Sequence, residues 1–266
     1  MGTSNEYRPR YGNWVSSKAV ILLFVCFLLL LFGAEWTAAG CRWLSVVMMV
    51  SAFLVLIVTM LFLRARTALS YEGGGVQRRV LEGILDQAKA AGWDGKGKML
   101  DIGCGSGALC VMAAKREPKV MVTGVDQWKS HWEYSKAQCE ANAQAEGVAN
   151  RIFFRQEDAA KLPFVDGMFD LVVSNLTFHQ IRTQKDKRVL MQEALRTVKP
   201  GGIFVIQDTF YNKRLYGDTE AFLQALAPYV SEIHLVDNRK MEDIPKYLHL
   251  PFFLGQMGMI WGRVKA

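Results

Sequence analysis

The sequence predicts an α/β domain, a mostly parallel sheet with helices on both faces, preceded by an α-helical hairpin long enough to span a membrane. Three observations predict it. Between Val15 and Leu63 only Lys18, Glu35 and Arg42 carry charge. Beyond residue 66, short apolar runs alternate with helical patterns, as expected for strands joined by crossover helices. The first of those runs ends in the turn Gly103-Cys104-Gly105-Ser106-Gly107, which opens a helix.

The hairpin is read from two apolar runs. Ala19 to Ala34 is a run of 16 apolar residues and glycine, extendable past Glu35 to Ala39, and Trp43 to Leu63 adds 21 residues without a charge. As a helix the second reaches about 31 Å, the thickness of the hydrocarbon core. The first spans if Glu35 sits among the headgroups, where a carboxylate costs far less than at the bilayer centre. Trp36 and Trp43 bracket the connection, and Tyr11 and Trp14 precede the first run, so aromatics fall where membrane boundaries are expected. Arg8, Arg10 and Lys18 lie before the hairpin and Arg64 and Arg66 after it, with Arg42 alone between, which puts both termini on the cytoplasmic side. The expected organisation is a cytoplasmic tail over 1–14, the transmembrane hairpin over 15–64, a linker and helix over 65–95, and the α/β domain over 96–266. A cleaved signal peptide, with Thr37-Ala38-Ala39 as the small-residue site, is the competing reading, and a buried soluble hairpin is another.

Charge distribution argues against nucleic acid as a partner. Residues 1–66 hold 6 basic and 2 acidic side chains and the remainder 26 and 23, so much of the net +7 flanks the apolar runs. No basic run with interleaved aromatics follows. The five cysteines, Cys26, Cys41, Cys104, Cys110 and Cys139, show no CxxC or His-rich metal spacing, so reduced thiols are expected and no metal site.

After Arg66, Tyr71-Glu72-Gly73-Gly74-Gly75 reads as a hinge, and Val76, Val80, Ile84, Leu85 and Ala88 recur at helical spacing up to Gly92. Strands are expected at 99–102, 120–125, 152–154, 169–173 and 203–206, with a last pair at 233–236 and 259–264. Helices are expected near 107–116, 130–146, 184–198 and 218–228.

The informative stretch is Met99-Leu100-Asp101-Ile102-Gly103-Cys104-Gly105-Ser106-Gly107. Glycines at a strand-to-helix turn let backbone approach a ligand, and open α/β sheets bind ligands at the carboxyl ends of their strands. Asp126 ends the next strand, where a carboxylate can accept from both ribose hydroxyls. A dinucleotide site is the rival, because Gly103, Gly105 and Ala108 fit the loose G-x-G-x-x-A form. Asp101 separates the two: its charge repels a pyrophosphate but suits an ammonium group beside a sulfonium.

These residues resemble the class I S-adenosylmethionine-dependent methyltransferases, closest to the broad group that includes quinone and sterol enzymes. The resemblance runs from about Tyr71 to the C-terminus and takes in Gln156-Glu157-Asp158-Ala159, Phe169-Asp170-Leu171-Val172-Val173-Ser174-Asn175 and Val198-Lys199-Pro200-Gly201-Gly202. It implies the class I methyltransferase Rossmann-like fold, a seven-stranded sheet with an antiparallel last strand, and S-adenosyl-L-methionine as cofactor. It also implies a cofactor site of Asp101, Gly103, Cys104, Gly105, Gly107, Asp126, Gln127, Trp128, Asp158, Ala159 and Asn175. Within it, Gln127 and Trp128 lie near the adenine, Asp158 contacts its amine and the Ala159 amide helps read the ring. Trp128 is equally well explained by aromatic packing with Trp132 and Tyr134, and Asp158 by a loop cap. Cys104 reads as the variable residue of the glycine turn.

Methyl transfer depends largely on positioning and desolvation, so catalytic residues leave a faint trace. His179, on the segment Leu176-Thr177-Phe178-His179-Gln180 after the fourth strand, is the candidate general base. Asp208 and Tyr211 at the end of the fifth strand, and Tyr71 folding over from the glycine hinge, are further candidates. Each has a bland alternative: loop hydrogen bonding, packing, or anchoring of the linker. The expected partners are the lipid bilayer and a hydrophobic small-molecule acceptor, a lipid or quinone, since anchoring concentrates a cleft near membrane-partitioned molecules. Pro251-Phe252-Phe253-Leu254 offers an apolar lip, or a buried connection. A membrane protein or a soluble metabolite as acceptor, and a silent cofactor-binding protein, stay open.

Overall fold

The computed structural model describes residues 7–129, 134–239, 241–242 and 244–266. Trp132 and the start of the helix expected from residue 130 lie outside them. The chain divides into two compact units, Asn13–Arg78 and the remainder.

The first unit holds two helices, α1 (Ser17–Thr37) and α2 (Arg42–Ala68). They run on beyond the uncharged stretches, to lengths of about 31 and 40 Å at 1.5 Å per residue. They pack on each other where residues are small: a side chain at Gly33 would strike the Met48 methyl, and the Thr37 hydroxyl turns back to the Gly33 carbonyl at 2.8 Å. The outward side chains are large and apolar, with Leu22, Leu29, Phe32 and Phe53 each more than 60% exposed. At the base, Asn13 Nδ2 donates to the Arg66 carbonyl at 2.5 Å, and the Arg66 guanidinium donates to the Val15 carbonyl. The expected glycine hinge is a run of turns after Tyr71.

The second unit is the sheet domain. After α3 (Val76–Ala90) come β1 (Lys96–Ile102), α4 (Ala108–Arg116), β2 (Lys119–Asp126), α5 (Lys136–Ala145), β3 (Ile152–Gln156) and β4 (Phe169–Asn175). There follow α6 (Lys187–Thr197), β5 (Val198–Asp208), the short α7 (Lys213–Tyr216), α8 (Thr219–Leu226), β6 (Val230–Asp237) and β7 (Gly258–Val264). The strand order is β3-β2-β1-β4-β5-β7-β6, parallel as far as β5 and antiparallel at β7 and β6. The expected seven-stranded sheet with its antiparallel last pair is therefore present.

Its central strands are apolar on both faces because both faces are covered. Leu100, Val172, Phe204 and Ile206 join a core with Leu190, Met191 and Leu195 of α6 and with Phe222 and Leu226 of α8. Several boundaries differ from expectation, among them the starts of β1 at Lys96, α6 at Lys187 and β6 at Val230, and two of the differences have a local cause. α5 begins at Lys136, where the Ser135 hydroxyl caps the helix by accepting from the Gln138 amide. β5 begins at Val198, so Lys199-Pro200-Gly201-Gly202 lies inside the strand and not before it. The pairing slips between Phe169 and Leu171, and that irregularity accommodates a proline without a donor and Gly201 at φ +73°.

Candidate active site

The candidate residues gather at the carboxyl ends of β1, β2, β4 and β5. Gly103, Gly105 and Gly107 all sit in the left-handed region, at φ +75°, +55° and +78°, which other residues rarely adopt, and this turns the chain from β1 into α4. A Cβ on Gly103 would collide with Thr177, whose hydroxyl donates to the Gly103 carbonyl at 3.3 Å.

Asp101 sits beside Gly124 and Val173 in the sheet register and is 1% exposed. The Cys110 thiol donates to it at 3.2 Å. Burial pushes its carboxyl up to about 7 against that hydrogen bond, and the charge of Asp126 adds to the rise. Among the described residues no lysine or arginine pairs with it. Two neighbouring carboxylates without a protein cation suit a ligand that brings positive charge, and a diphosphate would worsen the repulsion. The residues present therefore fit S-adenosylmethionine, with its ammonium and sulfonium.

At the end of β2, Asp126 accepts from the Gly105 amide at 3.0 Å and the Trp128 amide at 2.8 Å, tying the loop to the second strand. Trp128 is held at φ +45°, and its indole donates to the Gly105 carbonyl at 2.9 Å, so the ring folds back over the glycine turn. Gln156 Nε2 donates to the Gln127 carbonyl at 2.8 Å and the Glu157 amide to the Asp126 carbonyl at 3.1 Å, which joins β3 to the same corner. Asp158 accepts from the Ala160 amide at 2.9 Å and the Thr183 hydroxyl at 3.5 Å. Ala159 precedes that turn.

On the other side, Asn175 Oδ1 accepts from Gln207 Nε2 at 2.9 Å, and Gln207 Oε1 accepts from Asn238 Nδ2 at 2.7 Å. Leu176 turns the chain out of β4 at φ +50°, a conformation costly for a branched side chain. The turn carries His179 to Asp208, with Nδ1 and Oδ1 2.7 Å apart. Asp208 is completely buried, accepts the Thr209 amide at 2.6 Å, and lies beside the buried Tyr216. Burial alone raises its pKa, but His179 and the donors around it outweigh this and hold the carboxylate below its ordinary range. Burial likewise depresses His179, and the Asp208 charge and hydrogen bond override it and leave the imidazole above 6.5. An ionised carboxylate cannot donate, so the proton of neutral His179 resides on Nδ1 and Nε2 is the basic nitrogen.

The structure thus brings His179 and Asp208 together. Tyr211 instead lies under the Arg239 guanidinium, 3.8 Å from its ring centroid, next to Gly258. Tyr71 belongs to the hairpin unit, where Arg78 stands 6.0 Å over its ring. Cys104, Cys110 and Cys139 are free and buried. Burial pushes the Cys110 thiol up to about 12 and Cys104 well above its ordinary value, so both remain neutral. Among the described residues no group of His, Cys, Asp or Glu is arranged to hold a metal ion. Sequence reasoning assigned no role to Ser106, Thr177, Gln207 and Asn238; Ser106 stood inside the glycine motif and Thr177 inside the segment that carries His179, whereas nothing local marked the other two.

A family model described as a methyltransferase domain matches residues 94–246. The chain belongs to that family. The membership places it among class I S-adenosylmethionine-dependent methyltransferases and sets aside the dinucleotide reading. The methyltransferase domain is 33% identical over 172 residues to a malonyl-[acyl-carrier protein] O-methyltransferase of Geobacter sulfurreducens, a match covering 64% of this chain and 57% of that one. It is 36% identical over 122 residues to an arsenite methyltransferase of Aquipseudomonas alcaligenes, covering 44% of this chain and 34% of the other. The chain therefore spans about a third to just over half of these relatives. In fold it is similar to geranyl diphosphate C-methyltransferase from Streptomyces coelicolor A3(2), solved with S-adenosyl-L-homocysteine: TM-score 0.52 at 19% identity, covering 73% of this chain and 80% of that one.

Proposed function

We propose that this chain is a membrane-anchored methyltransferase that uses S-adenosylmethionine to methylate an oxygen, nitrogen or carbon of a lipid, quinone or other hydrophobic small molecule. The observation that carries the chemistry is the His179–Asp208 pair, at 2.7 Å, beside a cleft whose buried Asp101 has no cationic partner among the described residues. Asp101 takes the ammonium end of the cofactor, the Gly103–Gly107 turn its methionine portion, Asp126 the ribose hydroxyls, and Trp128 with Asp158 and Ala159 the adenine end. When bound, the cofactor supplies an electrophilic methyl group on a sulfonium.

His179 works on the acceptor. With Nδ1–H donated to Asp208, the Nε2 lone pair would take the proton that an acceptor hydroxyl or amine gives up on methylation, the cofactor's sulfur keeping the electron pair of the methyl bond it loses. The imidazolium so produced is stabilised by the buried Asp208 carboxylate. Asp208 thus acts through the imidazole, and Leu176 and Thr177 place it.

The relatives' names point to dissimilar acceptors, so the acceptor class is argued from the anchor. Two helices of spanning length with exposed Leu and Phe side chains are compatible with a bilayer hairpin, and the basic residues that flank it favour both termini and the domain on the cytoplasmic side. A domain held there meets membrane-partitioned molecules at raised effective concentration. The test is incubation of the purified full chain with methyl-labelled S-adenosylmethionine and a membrane extract. Label is expected in the lipid phase; label confined to the aqueous or protein fraction rejects the acceptor class, and no label with any fraction rejects the activity.

A further inference from the structure

Residues 7–12 precede α1 in the chain yet belong to the sheet domain, and their contacts converge on Asn142 of α5. Asn142 is completely buried. Its Oδ1 accepts from the Arg10 backbone amide at 2.8 Å and the Tyr7 hydroxyl at 3.0 Å. Its Nδ2 donates to the Arg10 carbonyl at 2.8 Å and the Ser106 carbonyl at 3.0 Å. One side-chain amide therefore holds the N-terminal backbone from both of its polar groups while reaching the glycine turn.

Further bonds fasten the same segment. Gln138 Nε2 donates to the Arg10 carbonyl at 2.6 Å, and the Tyr11 hydroxyl donates to Glu146 Oε1 at 3.2 Å. The buried Ser106 donates from Oγ to the Tyr11 carbonyl at 2.9 Å, so this residue, between Gly105 and Gly107, is gripped through its side chain by the N-terminal segment and through its carbonyl by Asn142. The Tyr134 ring lies against both Gly12 and Gly105, where any Cβ on Gly12 would strike it. The segment is thereby tied to the loop that must present its backbone to the ligand.

We propose that residues 7–12 form a strap that holds the glycine loop in its cofactor-binding conformation, with Asn142 and Ser106 as positioning residues. The proposal rests on the reading of this cleft as the S-adenosylmethionine site. A turn of three left-handed glycines is costly to order, and ordering it beforehand removes that cost from binding. Because the strap runs through Asn13 directly into α1, the same short stretch serves the cofactor loop and leads into the apolar hairpin.

The test uses the full chain in detergent or nanodiscs, with S-adenosyl-L-homocysteine affinity measured by calorimetry and the ligand-free unfolding midpoint measured beside it. Asn142→Ala and Ser106→Ala are expected to weaken binding about tenfold, the scale of one or two buried hydrogen bonds. Tyr7→Phe should weaken it less. Ser231→Ala, which removes a hydroxyl on β6 that bonds the Arg263 carbonyl, should leave binding unchanged. In label transfer to membrane extract, the strap variants should raise the KM for the methyl donor and leave the rate at saturating donor within about twofold, since the lost contacts act on binding. Unchanged affinity in Ser106→Ala, together with an Asn142→Ala effect confined to the unfolding midpoint, overturns the strap. Failure of the unsubstituted chain to bind the ligand overturns the cofactor reading itself, and the strap with it.

Discussion

Asp101 and His179 are single residues whose environments decide their protonation, and each makes a pH-dependent prediction. Asp101 titrates near 7 in the ligand-free protein because burial disfavours its charge, whereas a cationic ligand needs it ionised. Affinity for S-adenosylmethionine should therefore fall as pH drops from 8 to 6, by at most about tenfold per unit below 7. Asp101→Asn should flatten that slope and weaken binding about ten- to a hundredfold at pH 8, the range of a lost charge-assisted hydrogen bond. Calorimetry across pH checks both, and a flat profile in the unsubstituted protein would remove Asp101 from the site.

His179 acts only when neutral, and its pKa lies above 6.5, so the acidic limb of the rate should have its midpoint above that value. Asp208→Asn should move the midpoint down, and His179→Ala should cost about a hundredfold or more in kcat. The same pair contributes to stability with a defined sign. The depressed Asp208 pKa contributes stability that is present above 3.8 and lost as pH falls through its lower folded value. The raised His179 pKa contributes stability that is present below 6.5 and lost as pH rises through its higher folded value. Asp208→Asn should accordingly destabilise most between about pH 4 and 6.5, and less at pH 9, as read by urea unfolding.

At the level of strands and helices, the ends of β4, β5 and β6 are tied by the Asn175–Gln207–Asn238 chain. Asn238→Ala leaves Gln207 Oε1 without its donor in a buried position, which should cost about 1–3 kcal/mol in denaturant unfolding. It should also loosen Asn175, seen as weaker cofactor binding. An effect on neither quantity would mean that water replaces the amide and that the chain is incidental. The alternation of strands and helices, by contrast, was legible from pattern alone, whereas the order β3-β2-β1-β4-β5-β7-β6 was decided by pairings between distant segments that leave no local signal. Of the boundaries that shifted, those at Lys136 and Val198 were decided by a cap and by a pairing irregularity, neither of which leaves a periodic signal.

For the whole molecule, the hairpin makes a prediction through native thiols. Cys41 lies between α1 and α2, Cys26 lies within α1, and Cys104, Cys110 and Cys139 are buried in the sheet domain. In sealed vesicles a membrane-impermeant maleimide should label Cys41 from the non-cytoplasmic face and label little from the other. Labelling from the cytoplasmic face instead would reverse the topology, and a chain recovered in the soluble fraction would end the anchoring proposal.

What the amino-acid order determined by itself was whatever is local or periodic. That includes two apolar helices of spanning length, alternating strands and helices, and an aspartate set two residues before a turn that only glycines enter easily. What tertiary structure alone decided was which distant side chains meet. His179 finds Asp208 29 positions away, and Asn142 finds Arg10 132 positions away. Such meetings depend on how the sheet closes and where each strand ends, and only the folded chain brings those ends together, where burial then sets the charge of the groups that meet.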